Sequence, residues 1–222
     1  MSPSPQPAPA AAEHLDATRA RLIDAAGQVF ADHGFQAATI RDICTRAGAN
    51  VAAVNYHFRD KAGLYLAVLR QSMSAGGQPE PREIALLAET PDEALRLMIS
   101  AMMRRMHHQA SGACHFRIMV HEMAQPTDAL PRMVEEMIGP NHEAMRRIVS
   151  QLLGRPPDHE LTRLCCHSII GQTVHYAHAG PMIALLWPGF KMTPERLDEI
   201  SAHIAEFSLH AIKHLKETNS HE

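Results

Sequence analysis

The 222-residue sequence predicts an all-α protein in two parts, an N-terminal helix-turn-helix unit with a connecting helix and a larger helical unit behind it. Three observations carry that expectation. Apolar residues recur at three- and four-residue spacing through most segments. Glycine and proline fall mainly between those segments, where they end or start helices. One stretch, TIRDICTRAGANVAAVNYHFRDK from Thr39 to Lys61, holds two short capped helices and the tight turn between them.

The first twelve residues, MSPSPQPAPAAA, have neither a basic start nor an apolar run, so residues 1–15 are expected to form a disordered tail rather than a signal peptide or anchor. The first helix is expected from Asp16 or Thr18 to His33, with Leu22, Ala26, Val29 and Phe30 as its apolar stripe and Gly34 as its stop. Thr39 followed by Asp42 is a capping-box-like start, and Ile40, Ile43, Cys44 and Ala47 then share one face. Gly48 supplies the left-handed conformation that a tight helix-to-helix turn requires. Asn50 caps a third helix to about His57, which turns Val54 and Phe58 inward and Val51, Ala52, Asn55 and Tyr56 outward. Lys61 opens a fourth helix with Leu64, Tyr65, Val68 and Leu69 at core spacing. The run Gly76-Gly77-Gln78-Pro79-Glu80-Pro81 then breaks the pattern and places the junction between residues 16–75 and residues 76–222.

In the second part, Pro91 starts a helix carrying Leu95, Met98, Met102 and Met106, and Gly112 interrupts it. A short helix from Ala113 to Ala124 follows, with Phe116, Met119, Val120 and Met123 on one side. Thr127 is expected to cap a longer helix to Leu153, opened locally at Gly139-Pro140, where proline removes an amide donor. Asp158 is expected to cap the next helix, and from Leu161 to Ala179 only Arg163 carries a formal charge. A helix without a clear polar face needs cover on more than one side, which points to a partner subunit. Thr193-Pro194-Glu195 opens the last helix, with Leu197, Ile200, Ile204, Phe207, Ala211 and Leu215 as its stripe. Two such helices per subunit suit a four-helix contact in a homodimer.

Charge is unevenly divided. The whole chain carries −3, yet residues 18–70 hold seven Lys/Arg against four acids, so the helix-turn-helix part is basic and the remainder acidic. That asymmetry suits double-stranded DNA as a partner. Small side chains let the third helix approach a major-groove floor, with Val51 and Ala52 meeting thymine methyls and Asn55 a base edge. Arg41, Arg59 and Lys61 flank it as phosphate contacts, and Thr39 and Tyr56 add hydroxyls. With Asn50 and His57 they complete the candidate DNA-binding surface. Cys44, Cys114, Cys165 and Cys166 show neither a CxxC pair nor a disulfide framework, and no apolar run approaches the ~20 residues that cross a bilayer. A cytoplasmic protein without a membrane partner is expected.

The run from Arg21 through Phe30, Gly34, Phe35, Thr39, Ile40, Ala47-Gly48, Tyr56-His57-Phe58 and Lys61 resembles the DNA-binding domain of TetR-type transcriptional regulators over about residues 18 to 70. The forms VNYHFRDKAGLY and CCHSIIGQ further resemble the CecR-like branch. The resemblance implies a dimer whose C-terminal domain binds an effector. Many members carry an aromatic residue directly before the Tyr56-His57-Phe58 positions, where this chain has Asn55.

Eight methionines in the middle of the second part suit either ordinary core packing or an adaptable apolar pocket. For a small-molecule effector the candidate lining is Met102, Met106, Phe116, Met119, Gln172 and Tyr176, the last two being polar groups one turn apart on an apolar helix. Sixteen histidines raise a metal-responsive alternative around His107-His108, Cys114-His115, His121, Cys165-Cys166-His167, His175 and His178. No segment has the compact spacing of a zinc motif, so no metal or other cofactor is expected. No catalytic residue is expected either, because nucleophile elbow, phosphate loop, Rossmann and HExxH patterns are all absent from the sequence. A helical adaptor dimer without DNA binding is the remaining alternative.

Overall fold

The structure, a computed structural model, describes residues 9–74, 79–107 and 112–218, in which every regular element is helical. In chain order these are α1 (Pro9–Ala37), α2 (Ile40–Ala47), α3 (Val51–Phe58), α4 (Lys61–Ser74), α5 (Pro81–Ala85), α6 (Pro91–His107), α7 (Gly112–Ala124), α8 (Leu130–Met133), a π-helical turn (Val134–Ile138), α9 (Gly139–Leu153), α10 (Glu160–His178), α11 (Gly180–Leu186) and α12 (Pro194–Thr218). They form two compact units, and the division differs from a single cut near residue 76. The segment Cys114–Met133, expected in the second part, belongs with α1–α4. Among the described residues no helix is long and apolar enough to cross a membrane.

In the first unit, Leu22, Ala26, Val29 and Phe30 of α1 are buried with Ile43 and Cys44 of α2, Val54 and Phe58 of α3, and Leu64, Tyr65, Val68 and Leu69 of α4. Apart from Ile40, which is only partly buried, the inward residues of the sequence pattern are therefore the core residues. The helix starts earlier than expected, at Pro9 rather than Asp16. Proline suits the first helical turn and the three alanines after it are the best helix formers, so part of the anticipated tail continues the helix. Residues 1–8 lie outside the described residues. Gly34 interrupts α1 with φ 72°, as a stop signal should, but three more residues, less than one helical turn, continue the element through Ala37. A Cβ at Gly34 would also lie 3.2 Å from His121 Nδ1.

What brings α7 to this unit is a buried acid. Glu122 is 1% exposed. Its Oε1 accepts from the Tyr65 hydroxyl at 2.8 Å and the Thr127 hydroxyl at 2.7 Å, and its Oε2 accepts from the Thr127 amide at 3.1 Å. A carboxylate taken from water needs such donors to avoid a large desolvation cost. Burial pushes the Tyr65 phenol well above its ordinary range, and its bond to Glu122 and that group's charge push it further. Arg117 pairs with Asp32 at 2.8 Å, and His121 Nε2 reaches the Ala31 carbonyl at 3.2 Å, so α7 is also tied to the end of α1. Thr127 consequently does not cap a long helix to Leu153. Its hydroxyl serves Glu122 and the Ala129 amide, and the chain makes a short α8, the π turn, and only then α9. The opening at Gly139-Pro140 takes the form of that π turn, and a Cβ on Gly139 would come within 2.9 Å of the Val134 carbonyl oxygen.

The second unit packs Leu95, Met98, Ile99 and Met103 of α6 against Met145, Ile148, Val149 and Leu153 of α9, Cys166 and Ile169 of α10, and Leu197, Ile200, Ile204, Leu209 and Ile212 of α12. A reciprocal capping box between Glu80 and Glu83 starts α5, and Asn141 of α9 bonds both Glu80 and the Arg82 amide. Two further expectations are corrected here. His159, not Asp158, caps α10 by accepting from the Leu161 amide at 3.2 Å, because Asp158 is taken up by Arg146 and Arg163. On α12 the buried stripe passes through Ser208 and Ile212, which leaves Phe207 60% exposed and Ala211 at the surface. The helical repeat of 3.6 residues carries the core face past Phe207, where the simple three-and-four count had placed it.

Two substitutions test this packing. A Cβ at Gly63 would sit 2.0 Å from the Phe58 carbonyl oxygen, so Gly63→Ala should cost ~1–3 kcal/mol through forced displacement of α3 from α4. Tyr65→Phe removes one donor to Glu122 and should cost ~1.5–3 kcal/mol, the range for hydrogen bonds to charged groups. Denaturant unfolding followed by circular dichroism measures both, and an unchanged midpoint for Tyr65→Phe would show that the buried acid does not depend on it.

Candidate nucleic-acid interface

The exposed edge of α2–α3 is built from its caps outward. Thr39 Oγ1 accepts from the Asp42 amide at 3.1 Å and donates to the Asp42 carboxylate at 2.6 Å, fixing the start of α2. Gly48, at φ 59° and ψ 41°, closes the helix, and the Ala49 amide returns to the Cys44 carbonyl. Two residues later Asn50 Oδ1 accepts from the Ala53 amide at 3.0 Å and starts α3. The turn is therefore set by Thr39, Gly48 and Asn50, each with a sequence signal.

Once Val54 and Phe58 are buried, the helical repeat turns Val51, Ala52, Asn55 and Tyr56 to the surface. Val51 is 50% and Tyr56 72% exposed, large apolar and aromatic area that no residue of this unit covers. His57 is half-buried, its ring edge-on to Tyr56 at 4.9 Å. Arg41 lies exposed on α2, and Arg59 takes a positive φ of 74° at the end of α3, where its amide bonds the Asn55 carbonyl. Thr39, Arg41, Asn50, Val51, Ala52, Asn55, Tyr56 and His57 thus lie along one pair of short helices.

Lys61 differs from the rest. Its Nζ donates to the Gln36 carbonyl at 3.3 Å and lies 4.5 Å above the Phe35 ring. Partial burial holds its ammonium below the ordinary lysine range. This lysine fastens the start of α4 to the end of α1, a role its place in the sequence did not announce. Two other residues were missed. Asp60 accepts from the Gly63 amide at 2.8 Å and caps α4, and Gly63 admits the Phe58 carbonyl. The DKAG spacing was a legible cap signal for the first; the second depends on contact between helices.

The profile of bacterial regulatory proteins of the tetR family matches residues 22–68, and that of the HTH-type transcriptional dual regulator CecR, C-terminal domain, matches residues 91–212. The chain belongs to the TetR family, with a CecR-type C-terminal domain. It is similar to the HTH-type transcriptional dual regulator CecR of Shigella flexneri, with 28% identity over 81% of this chain and 84% of that one. Among solved structures, a HlyIIR variant with residues 169–186 replaced by a linker superposes with a TM-score of 0.63 at 20% identity, covering 85% of this chain and 97% of that one. FadR from Bacillus subtilis, solved with stearoyl-CoA, gives a TM-score of 0.63 at 18% identity, covering 86% and 97%. As a TetR-family protein the chain is a DNA-binding transcriptional regulator, and the exposed α2–α3 edge is its helix-turn-helix.

The residues expected to line an effector pocket in this regulator are not gathered in one unit. Met119 belongs to α7 and the first unit, whereas Met102, Met106, Gln172 and Tyr176 belong to the second. Met102 and Tyr176 pack against the second core, and the Gln172 amide donates to the Ser168 carbonyl of its own helix at 3.3 Å. The Phe116 side chain lies outside the described residues, as do His108 and the side chains of Cys114 and His115. Among the described residues no three His, Cys, Asp or Glu converge as a metal site would need. Cys44, Cys165 and Cys166 are buried and unbridged, and burial pushes all three thiols up, Cys166 to about 12. Thiols so protonated are poor nucleophiles and ligands at neutral pH.

Asn50→Ala should cost about 1 kcal/mol, the usual loss for an N-cap, while Asn50→Ser should retain most of it. Thermal unfolding of the two variants decides whether the cap holds α3 in place.

Proposed function

We propose that this regulator is a repressor that binds a near-palindromic operator as a homodimer and is released by a small, largely apolar effector. The observation that carries the DNA half is the exposed set on α3: two small or methyl-bearing residues, one amide and one phenol on a capped helix whose other face is core. Val51 and Ala52 lie against thymine methyls, Asn55 reads a base edge, and Arg41, Arg59, Thr39 and Tyr56 contact phosphates. Lys61 adds a phosphate contact only as far as its bond to Gln36 permits, and acts first by holding α4 and α1 together. In a dimer the two α3 helices meet half-sites one helical turn, ~34–36 Å, apart.

The effector half rests on the second unit. Met98, Met103 and Met145 are fully buried there, with Met102 and Tyr176 at the core's border. Unbranched thioethers repack readily around apolar shapes. The stearoyl-CoA in Bacillus subtilis FadR supports an acyl-type effector for a chain of this fold. Release requires unequal effector affinity for two states of the protein, with a coupling of ~1–3 kcal/mol sufficient.

Selection of duplexes at two salt concentrations tests the reading. Arg41→Ala should weaken every sequence alike and reduce the salt slope by about one, whereas Asn55→Ala should relax preference at particular base pairs by ~1–3 kcal/mol. Equal weakening at all sites by Asn55→Ala would make it a phosphate contact instead. Titration of fatty acids, acyl-CoA and aromatic compounds into the protein–DNA complex, with zinc, copper and nickel in parallel, tests the effector. Release by an apolar compound, reduced by Met102→Trp, is expected; release by metal alone would replace it with a metal-responsive mechanism.

A further inference from the structure

From Leu164 to Phe190 the sequence contains no Asp, Glu, Lys or Arg, although such residues make up 20% of the chain. A stretch of that length would ordinarily hold several. On α10 the residues turned to the surface here are Leu164, His167, Ser168, Gly171 and His175, with Leu164 57% exposed. On α12, which packs beside α10, the outward stripe holds His203, Phe207, His210, Ala211 and His214. Two neighbouring helices thus carry outward stripes without fixed charge, whose ionisable side chains are all histidines.

The permanent charges nearby are engaged at its edges. On the α6 side, Glu206 pairs with Arg96, Lys213 with Asp92 and Asp198 with Arg104. On the α9 side, Arg146 and Arg163 pair with Asp158, and Arg146 also with Glu143. At the start of α12, Arg196 bonds Glu199 and lies over Trp187. Lys216 and Glu217 follow the stripe in the last turn of α12. His142 of α9 faces His167 with ring centroids 5.3 Å apart.

We propose that the two-fold contact on this face is gated by histidine protonation, tight at neutral pH and loosened by acid. The inference rests on the homodimer reading above and specifies its control. A two-fold contact sets a patch against itself, so any fixed charge near its centre meets its like. A face with no fixed charge, with Leu164 and Phe207 exposed and open space above Gly171, fits a second copy better than a charged partner. Neutral imidazoles are tolerated in such a contact. Imidazolium is not, because it loses water on association and faces its own copies across the axis.

The sign follows from linkage. Association disfavours the protonated form, so the imidazoles titrate lower in the dimer than in the separate subunits. Dimer affinity is then constant above the ordinary imidazole value of ~6.5 and falls as pH drops below it. His142 already shows the local trend: burial first, then the neighbouring His167, holds it below the ordinary range.

Sedimentation equilibrium of the full chain in EDTA, from about pH 7.5 to about pH 5.5, tests the proposal, with circular dichroism confirming intact helices. The dimer Kd should rise about tenfold or more, since each excluded proton weakens association by up to about tenfold per pH unit. A variant combining His167→Gln, His175→Gln, His203→Gln, His210→Gln and His214→Gln should dimerise at both ends of the range, and Phe207→Lys should be monomeric throughout with its helices intact. A pH-independent Kd in the natural chain, retention of the full pH effect in the glutamine variant, or a dimeric Phe207→Lys would overturn it. So would a dimer that requires zinc in place of EDTA, which would make the histidines metal ligands. A natural chain that is monomeric at about pH 7.5 would instead remove the homodimer reading itself.

Discussion

A carboxylate buried to 1% exposure is costly unless its partners are in place, and in the first unit those partners define which segments belong together. Glu122 draws on Tyr65 of α4 and on the backbone and hydroxyl of Thr127, so α4, α7 and the start of α8 are bound through one group. Around it the Arg117–Asp32 pair and the His121–Ala31 contact are more exposed and weaker, and they orient α7 rather than hold it. Tyr65 also stacks edge-on against Phe30 at 4.8 Å and lies 4.9 Å from Phe35. The same side chain thus closes the aromatic core of the DNA-binding helices and supplies the donor that retains α7.

The helix-turn-helix itself follows a different logic. Its geometry comes from Thr39, Gly48 and Asn50, residues whose local bonds need no distant partner. Because those caps satisfy the backbone, the outward residues of α3 are released from structural duty, and their small size and polarity can serve a ligand. Lys61 is the exception, with its charge partly committed to the end of α1.

Legibility divided along the same line. Caps, the Gly48 turn, the inward set Val54 and Phe58 and the outward set Val51, Ala52, Asn55 and Tyr56 were readable, because each depends on neighbours within four residues. The placement of Cys114–Met133 was not. The apolar face read for α7 is not its buried one, since Val120 and Met123 are exposed while Ile118 and Glu122 are buried, and nothing local says which core the helix joins. The Asp158 and Thr127 caps failed for a related reason. Both residues had competing partners, Arg146 and Arg163 for one and Glu122 for the other, that only the folded chain supplies. Helical spacing likewise says nothing of the compact unit to which Met102 or Met119 belongs.

The return of α7 and α8 to the first unit bears on how such a chain can be taken apart. The first compact unit is discontinuous, made of one stretch before α5 and a second after α6, although the CecR-type profile over residues 91–212 runs through that second stretch. A graft of the first 76 residues onto a foreign sensor would carry Tyr65 and the buried face of α1 without the helix that closes them. Modular exchange in this protein therefore needs two junctions, with the α7–α8 segment travelling alongside the helices it completes.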